Sequence, residues 1–204
     1  MGLYDDRILP HLVHLSMRQD VFTQYRRRVV PAAHGSVLEI GVGSGLNLPL
    51  YGEAVESVIG LDTSPQLLSM ARRAPAAAPA RTTLIEGSAE ALPLESESID
   101  TVLTTWTLCS IANVVGALRE MRRVLKPSGA LLFVEHGRAP DPAVRRWQDR
   151  LTPLWKHLTG GCHLNRPIRD LLDDAGLRVE WIDTAYMKGP KPMTYIYEGK
   201  ARPI

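Results

Sequence analysis

The stretch Val37-Leu-Glu-Ile-Gly-Val-Gly-Ser-Gly-Leu-Asn47 reads as a short aliphatic strand that runs straight into glycines at Gly41, Gly43 and Gly45. Glycine is needed where a chain turns sharply at the carboxyl end of a strand and must let a ligand approach its backbone with no Cβ in the way. Asp62 follows 21 residues after Gly41, at the end of the next aliphatic run. A carboxylate at that place accepts two hydroxyl hydrogen bonds from a ribose. Together these residues predict an adenosine site at the switch point of a doubly wound sheet. The dinucleotide form of the motif requires Gly or Ala where this chain has Leu46, which sets the hydride-transfer reading aside.

Outward from this stretch, short aliphatic runs alternate with helical ones. Strands are expected at Val37–Ile40, Ser57–Leu61, Thr82–Glu86, Ile99–Thr104 and Ala130–Glu135. Between them, Ser64–Arg73 reads as a helix with Ser64 as N-cap and Pro65 at its first position, and Val114–Leu125 as a helix ended by Pro127 and Gly129. Such alternation implies a parallel sheet covered on both faces. Before it, apolar residues from Ile8 to Val30 recur at spacings of three and four and predict two short helices closed by Pro31. After it come helical stretches at Pro142–Leu158 and Arg166–Ala175, the second stopped by Gly176. Thr152-Pro153 reads as a point where the first of these restarts with a cap. Two last strands, Leu177–Thr184 and Met193–Gly199, are joined by a connector short enough for an antiparallel pair at one edge. Pro75-Ala-Ala-Ala-Pro-Ala80 suits a loop.

Composition narrows the function classes. The 204 residues suffice for one domain, and 24 basic against 22 acidic residues leave a formal charge of +2, without the strong basic excess of a general nucleic-acid binder. Two cysteines far apart, Cys109 and Cys162, exclude a disulfide framework and a cysteine zinc knuckle and make a reducing compartment the default. His11 and His14 share a helix face but have no third ligand near them in sequence, so no metal site is expected. No apolar run nears the roughly 18 residues of a spanning helix and the start has no leader pattern, so a soluble cytoplasmic protein is expected. Charge is unevenly spread: residues 138–169 hold seven basic and two acidic residues, whereas residues 35–137 hold seven basic and eleven acidic ones.

Glu39-x-Gly-x-Gly-x-Gly resembles the first motif of class I S-adenosylmethionine-dependent methyltransferases, and the resemblance continues in order along the chain. Gly60-Leu-Asp-Thr-Ser-Pro-Gln-Leu-Leu is similar to the second motif, implying that Asp62 holds the ribose diol and Thr63 lies beside the adenine. Glu86-Gly-Ser-Ala-Glu-Ala-Leu-Pro93 resembles the third, implying adenine contacts from Gly87, Ser88, Ala89 and Glu90, with Ser88 replacing the family's usual aspartate. Asp100-Thr-Val-Leu-Thr-Thr-Trp-Thr-Leu-Cys109 looks like the fourth, whose strand end, Thr105 and Trp106, lines the methionine part. Glu39, Gly41, Gly43, Gly45 and Asn47 complete the expected cofactor set, with S-adenosyl-L-homocysteine as product. The implied fold is a Rossmann-like, doubly wound, seven-stranded, mostly parallel sheet with an antiparallel edge strand, helices on both faces and an N-terminal helical cap. In the implied single domain, residues 1–34 form that cap, 35–137 the cofactor-binding core, 138–176 a helical substrate cap and 177–204 the C-terminal strand pair.

Leu108-Cys-Ser110, Glu135-His-Gly137, Trp147 to Trp155 and Gly160-Gly-Cys-His-Leu-Asn-Arg166 resemble the thiol methyltransferase family known as methyltransferase-like seven and its bacterial relatives. That resemblance implies a small alkyl thiol as acceptor. The family's apolar amino-terminal anchor has no counterpart in this sequence, so a membrane location is not implied. A thiol with a pKa of about 8.5 needs a base or positive charge nearby to become thiolate at neutral pH. His136, at the carboxyl end of the fifth strand, is the first candidate base and His163 the second; Cys109, Trp147, Cys162, Asn165 and Arg166 are candidate pocket residues. Hydrogen bonding to backbone is an equal alternative for each histidine, and helix capping is the alternative for Asn165. Val144, Trp147, Leu151, Leu154, Trp155 and Leu158 share one helical arc with most basic residues outside it. They read as a lid helix packing its tryptophans inward, or as a basic amphipathic segment in peripheral contact with anionic membrane. Alternatives to the thiol acceptor are phosphatidylethanolamine N-methylation, quinone-ring C-methylation and a catalytically inactive cofactor-binding scaffold. The expected assembly is a monomer or homodimer.

Overall fold

The computed structural model describes residues 4–74 and 81–204; the loop expected at Pro75 to Ala80 lies outside the described residues. Seven strands form one sheet: β1 Gly35–Ile40, β2 Val55–Asp62, β3 Arg81–Glu86, β4 Ile99–Thr105, β5 Leu125–His136, β6 Leu177–Tyr186 and β7 Tyr195–Pro203. Their order across the sheet is β3-β2-β1-β4-β5-β7-β6. All pairings among β1 to β5 are parallel; β7 runs antiparallel to both β5 and β6, so the reversed strand sits just inside the edge strand β6.

Among the described residues seven α-helices accompany the sheet: α1 Leu9–Met17, α2 Asp20–Val29, α3 Pro65–Ala71, α4 Val114–Val124, α5 Pro142–Leu158, α6 Ile168–Asp174 and the short α7 Lys191–Thr194. The two expected N-terminal helices are present as α1 and α2. Ser64 caps α3 by accepting the Leu67 N–H at 3.3 Å, with Pro65 at the first position.

Alternate residues of the central strands feed two cores. Leu38, Val102, Leu131 and Phe133 pack with Leu118 and Met121 of α4 and Leu172 of α6. Val37, Leu103, Leu132 and Val134 pack on the other face with Val29 of α2 and Leu68 of α3. Burial on both faces is why these strands read as continuous apolar runs.

Three boundaries differ from the sequence expectation. Strand β5 starts at Leu125, directly after α4, because Leu125 pairs with Ile99 before residues 126–129 bulge out and Ala130 resumes the ladder opposite Thr101. Pro127 lies in that bulge, where its missing N–H leaves no ladder bond unmade. Strand β7 begins at Tyr195 and continues to Pro203, because β6 offers partners that far and Glu180 bridges both Lys200 and Arg202 across the pair. Helix α5 runs unbroken through Pro153 instead of restarting; Thr152 is buried, and its hydroxyl donates to the Gln148 carbonyl at 2.7 Å.

The rotation of α5 also departs from the expected arc. Its buried residues are Val144, Gln148 and Thr152, while Trp147, Leu154 and Leu158 are 55%, 66% and 52% exposed. Gln148 explains the rotation. Its Oε1 accepts the Ala139 N–H at 3.0 Å, and its Nε2 donates to the carbonyls of Gly137 at 2.9 Å and Pro192 at 3.2 Å. A polar residue thus faces inward because three backbone groups need it. Gln148→Leu leaves those groups without their partner, and we expect unfolding free energy to fall by about 2–4 kcal/mol in chemical denaturation; a loss below 1 kcal/mol would show that water replaces the amide.

Candidate active site

Strand β1 lies between β2 and β4, so the chain leaves β1 toward one side of the sheet and β4 toward the other. A crevice opens at their carboxyl ends, the place where open parallel sheets bind ligands. The β1 side of the crevice is the glycine turn. Gly41, Gly43 and Gly45 all have positive φ, at 71°, 55° and 79°. A Cβ on Gly41 would strike the Thr107 hydroxyl at 2.2 Å, so that glycine lets the turn pack against the loop after β4. A Cβ on Gly43 would meet nothing closer than the Gly41 carbonyl oxygen at 3.9 Å, so the space it faces is open.

Asp62 closes the far end of the turn. Its Oδ2 accepts the Gly43 N–H at 2.9 Å and its Oδ1 the Ser64 N–H at 2.8 Å. Each carboxylate oxygen retains a lone pair for a further donor. Burial raises the Asp62 pKa against the pull of those backbone N–H groups.

The near end is built around Glu39, wholly buried on β1. Its Oε1 accepts from Asn47 Nδ2 at 2.8 Å and its Oε2 from the Tyr51 hydroxyl at 2.6 Å; Asn47 Nδ2 also reaches Thr105 Oγ1 at 3.1 Å. Burial pushes the Glu39 carboxyl up to about 7, with the two hydrogen bonds and Arg26 pulling the other way. Arg26 of α2 is itself brought down to about 10 by burial, and its guanidinium stands 5.0 Å from the Trp106 ring. Trp106 adopts a positive φ of 54°, held by its N–H bond to the Val134 carbonyl at 2.7 Å, and Phe22 and Tyr25 of α2 meet its ring edge to face. Helix α1 closes on the same turn through His14 Nδ1 and Ser44 Oγ, 2.7 Å apart.

On the adenine side expected from the third motif, Thr63, Ser88 and Glu90 are exposed, Gly87 is half-buried and Ala89 is buried. Ser88 Oγ accepts the Glu90 N–H at 3.2 Å, and Glu90 Oε1 accepts the Asn113 N–H at 2.9 Å, which ties this loop to the start of α4.

Beyond β4 and β5 the structure brings together residues far apart in sequence. Cys109, His136 and Cys162 are all buried, and their Sγ, imidazole nitrogen and Sγ atoms lie within 4.8 Å of one another. The Cys162 Sγ to His136 Nε2 distance is 3.2 Å, and neither cysteine forms a disulfide. Hydrogen bonding to Cys162 and burial raise the Cys109 pKa, and the same bond lowers that of Cys162. Burial opposes a charged His136, but the charge and hydrogen bond of Cys109 outweigh it and raise its pKa. Glu135, wholly buried beside them, accepts the Thr107 N–H at 3.0 Å through Oε1, while Oε2 has no partner; burial holds its carboxyl at about 7.

The other expected pocket residues have different work. Trp147 faces outward on α5 and stacks with Arg150, so it does not line the site, because Gln148 takes the inward face. Asn165 donates to Asp149 at 2.7 Å instead of capping α6, whose N-cap position is Pro167. Arg166 is buried and spends its guanidinium on the carbonyls of Leu108 and Ile111, which leaves it a clamp on the loop that carries Cys109 rather than an anion receptor. His163 stands by the Cys109 carbonyl through both its backbone N–H, at 2.9 Å, and its ring Nδ1, at 3.2 Å, so its ring serves the backbone. Sequence reasoning misses Arg26, weighs His14 only as a metal ligand and takes Glu135 only as part of a motif, without a site role for either. For Glu135 a signal existed: a carboxylate in an otherwise aliphatic buried strand.

Comparison with known proteins agrees with this geometry. Residues 38–133 match the family model described as a methyltransferase domain. The rat protein "Thiol S-methyltransferase TMT1B" is 30% identical over 155 residues, which is 74% of this chain and 63% of that protein. The "Demethylmenaquinone methyltransferase" of Clavibacter sepedonicus is 30% identical over 123 residues, 60% of this chain and 50% of that protein. Thus the chain spans half to somewhat under two thirds of these curated relatives. An S-adenosylmethionine-dependent methyltransferase from Thermotoga maritima shares the fold at a TM-score of 0.68 and 21% identity, with 97% of this chain and 99% of that one covered.

Residues 38–133 thus carry a methyltransferase domain on the fold of the S-adenosylmethionine-dependent methyltransferases. The residues present suit S-adenosylmethionine. Asn47 Oδ1 is buried and has no partner, an acceptor suited to an ammonium; the space before Gly43 is open; and Asp62 keeps acceptor capacity for a diol.

Two outcomes follow for this site. Gly43→Ala costs about 1–2 kcal/mol of stability from its positive φ but keeps the fold, while cofactor affinity in calorimetry falls by about tenfold or more. Gly41→Ala, with a clash added, lowers the melting temperature further. The second outcome concerns Glu39. A cationic ligand favours its ionised form, so binding below a pKa of about 7 must first expel a proton. Affinity for S-adenosylmethionine therefore falls about fivefold from pH 7 to pH 6, and Glu39→Gln flattens that profile.

Proposed function

We propose that this chain transfers the methyl group of S-adenosylmethionine to the sulfur of a small thiol. The observation that carries the reading is the buried cluster at the carboxyl ends of β4 and β5, where the Cys162 sulfur lies 3.2 Å from His136 Nε2. Relatives named for thiol S-methylation support it. The cofactor supplies a methyl group already activated on a sulfonium.

The remaining tasks belong to the chain: aligning the acceptor, excluding water and disposing of the acceptor's proton. A free thiol is only about 3% thiolate at pH 7. His136, at the carboxyl end of β5, is the imidazole assigned to take that proton.

A lipid acceptor is the second reading. Helix α5 exposes Trp147, Leu154 and Leu158 among Arg146, Arg150 and Lys156, and α1 exposes Leu12 and Leu15, with Ile8 exposed at its N-cap. Such a basic apolar surface suits peripheral contact with anionic membrane. Among the described residues no helix is long and apolar enough to cross a membrane.

Incubation with labelled cofactor and a panel of small alkyl thiols, amines, phenols and phosphatidylethanolamine vesicles decides between the readings. Thioether product should form with turnover at least about tenfold above the other classes. Transfer confined to phosphatidylethanolamine establishes the second reading instead, and transfer confined to simple amines overturns both.

A further inference from the structure

We infer that Cys109, His136 and Cys162 form a three-ligand site for a zinc ion. The three donors come from the loop after β4, the end of β5 and the loop after α5, with successive members at least 26 positions apart in sequence. Chance proximity of this kind is common at exposed carboxylates, but here every donor is buried and every donor is of the type zinc prefers. Tetrahedral zinc with bonds of about 2.3 Å to sulfur and about 2.0 Å to nitrogen places its ligands roughly 3.5–3.8 Å apart. The atoms already lie within 4.8 Å of one another, and Cys162 and His136 are at 3.2 Å, so side-chain adjustments of about an ångström close the site.

The surroundings hold the donors where an ion needs them. Arg166 grips the carbonyls of Leu108 and Ile111 on either side of Cys109, and His163 grips the carbonyl of Cys109 itself. Gly160 and Gly161, both at positive φ, turn the chain so that Cys162 enters the interior, and the half-exposed backbone there offers an entry path. Apart from the trio itself, Cys109 Sγ meets the Trp106 carbonyl at 3.6 Å and Ser110 Oγ at 3.5 Å, and Cys162 hydrogen-bonds at Trp155 and Thr159 on the end of α5.

Charge also balances. On binding, each thiol releases its proton to solvent and the two thiolates cancel the charge of the divalent ion, leaving a neutral centre with a neutral imidazole. That is a state a buried site tolerates better than an isolated thiolate. Two thiolates and one imidazole with a fourth position free are also the ligand set of a catalytic rather than a closed structural zinc. In the zinc-loaded protein His136 is a ligand and no longer a base, so lowering the pKa of an incoming acceptor would fall to the ion.

The test uses the full chain, reduced and stripped with a chelator, without cofactor or acceptor, so its outcome is independent of which substrate is methylated. Titration with cobalt(II) should give a thiolate-to-cobalt charge-transfer band saturating at one ion per chain, and zinc should abolish it. Cys109→Ala and Cys162→Ala should each weaken binding by about a hundredfold, and His136→Ala by about tenfold or more. Because buried substitutions can unfold a protein, alkylation of the unaltered chain gives a second reading. Zinc should slow labelling of Cys109 and Cys162 together by tenfold or more. Absence of the band, or equal labelling of both cysteines with and without zinc, overturns the site and leaves thiol methylation standing; a failed thiol assay leaves the cobalt spectrum unaffected.

Discussion

A single carboxylate, Glu39, organises the ligand crevice. It sits on the central strand β1 with no contact to water, and burying an unpaired carboxylate costs several kcal/mol. The fold meets that cost by bringing Asn47 back from beyond the glycine turn, Tyr51 from the following loop and Arg26 from α2. Asn47 in turn touches Thr105, the last residue of β4. One buried charge thereby fixes the relative positions of both loops that bound the crevice and of the helix that covers it. Because satisfaction is by hydrogen bonds more than by full charge, the carboxyl remains near its ionisation point at neutral pH.

The second constraint is the strained bend at Trp106. A bulky residue at positive φ is unfavourable, and such strain persists only where surrounding contacts over-determine it. Here the N–H bond to Val134, the two edge-to-face rings of α2 and the Arg26 guanidinium do so. The bend redirects the chain after β4 away from the sheet. That turn lets Cys109 lie beside the end of β5 and the loop after α5, so the conformation of one residue bears on both the glycine turn and the Cys-His-Cys cluster.

Legibility in the sequence follows the range of the interactions. The glycine turn, the Ser64 cap and the position of Asp62 depend on neighbours within a few residues or on one strand-to-strand step, and their residue types carry the signal. Helix α5 misleads because amphipathic reading treats Gln148 as a surface residue, whereas three orphan backbone groups draw it inward and turn Trp147 out. Arg166 and Asn165 look like ligand-binding residues for the same reason: nothing local shows that their donors answer carbonyls and a carboxylate from other segments. The absence of a local ligand pattern also argued against a metal, yet the Cys-His-Cys group arises only when β4, β5 and α5 are assembled. Glu135 was visible as a charge within an aliphatic strand, but its significance needs the knowledge that one oxygen is unpaired.

These two ways of building have different consequences for specificity. The cofactor side is encoded almost contiguously between Val37 and Asp62, with a carboxylate and an arginine from the neighbouring helix as its electrostatic unit. The Cys-His-Cys cluster is assembled from three segments, and Arg166 beside it spends its hydrogen bonds on backbone. The charges that bear on the cluster are those of Glu135 and Arg166. A substitution in the cluster can leave the bonds of Glu39, Asn47 and Tyr51 intact, because among the described residues no side chain after α5 joins the Glu39 network. The site for the methyl donor is thus built independently of the Cys-His-Cys cluster.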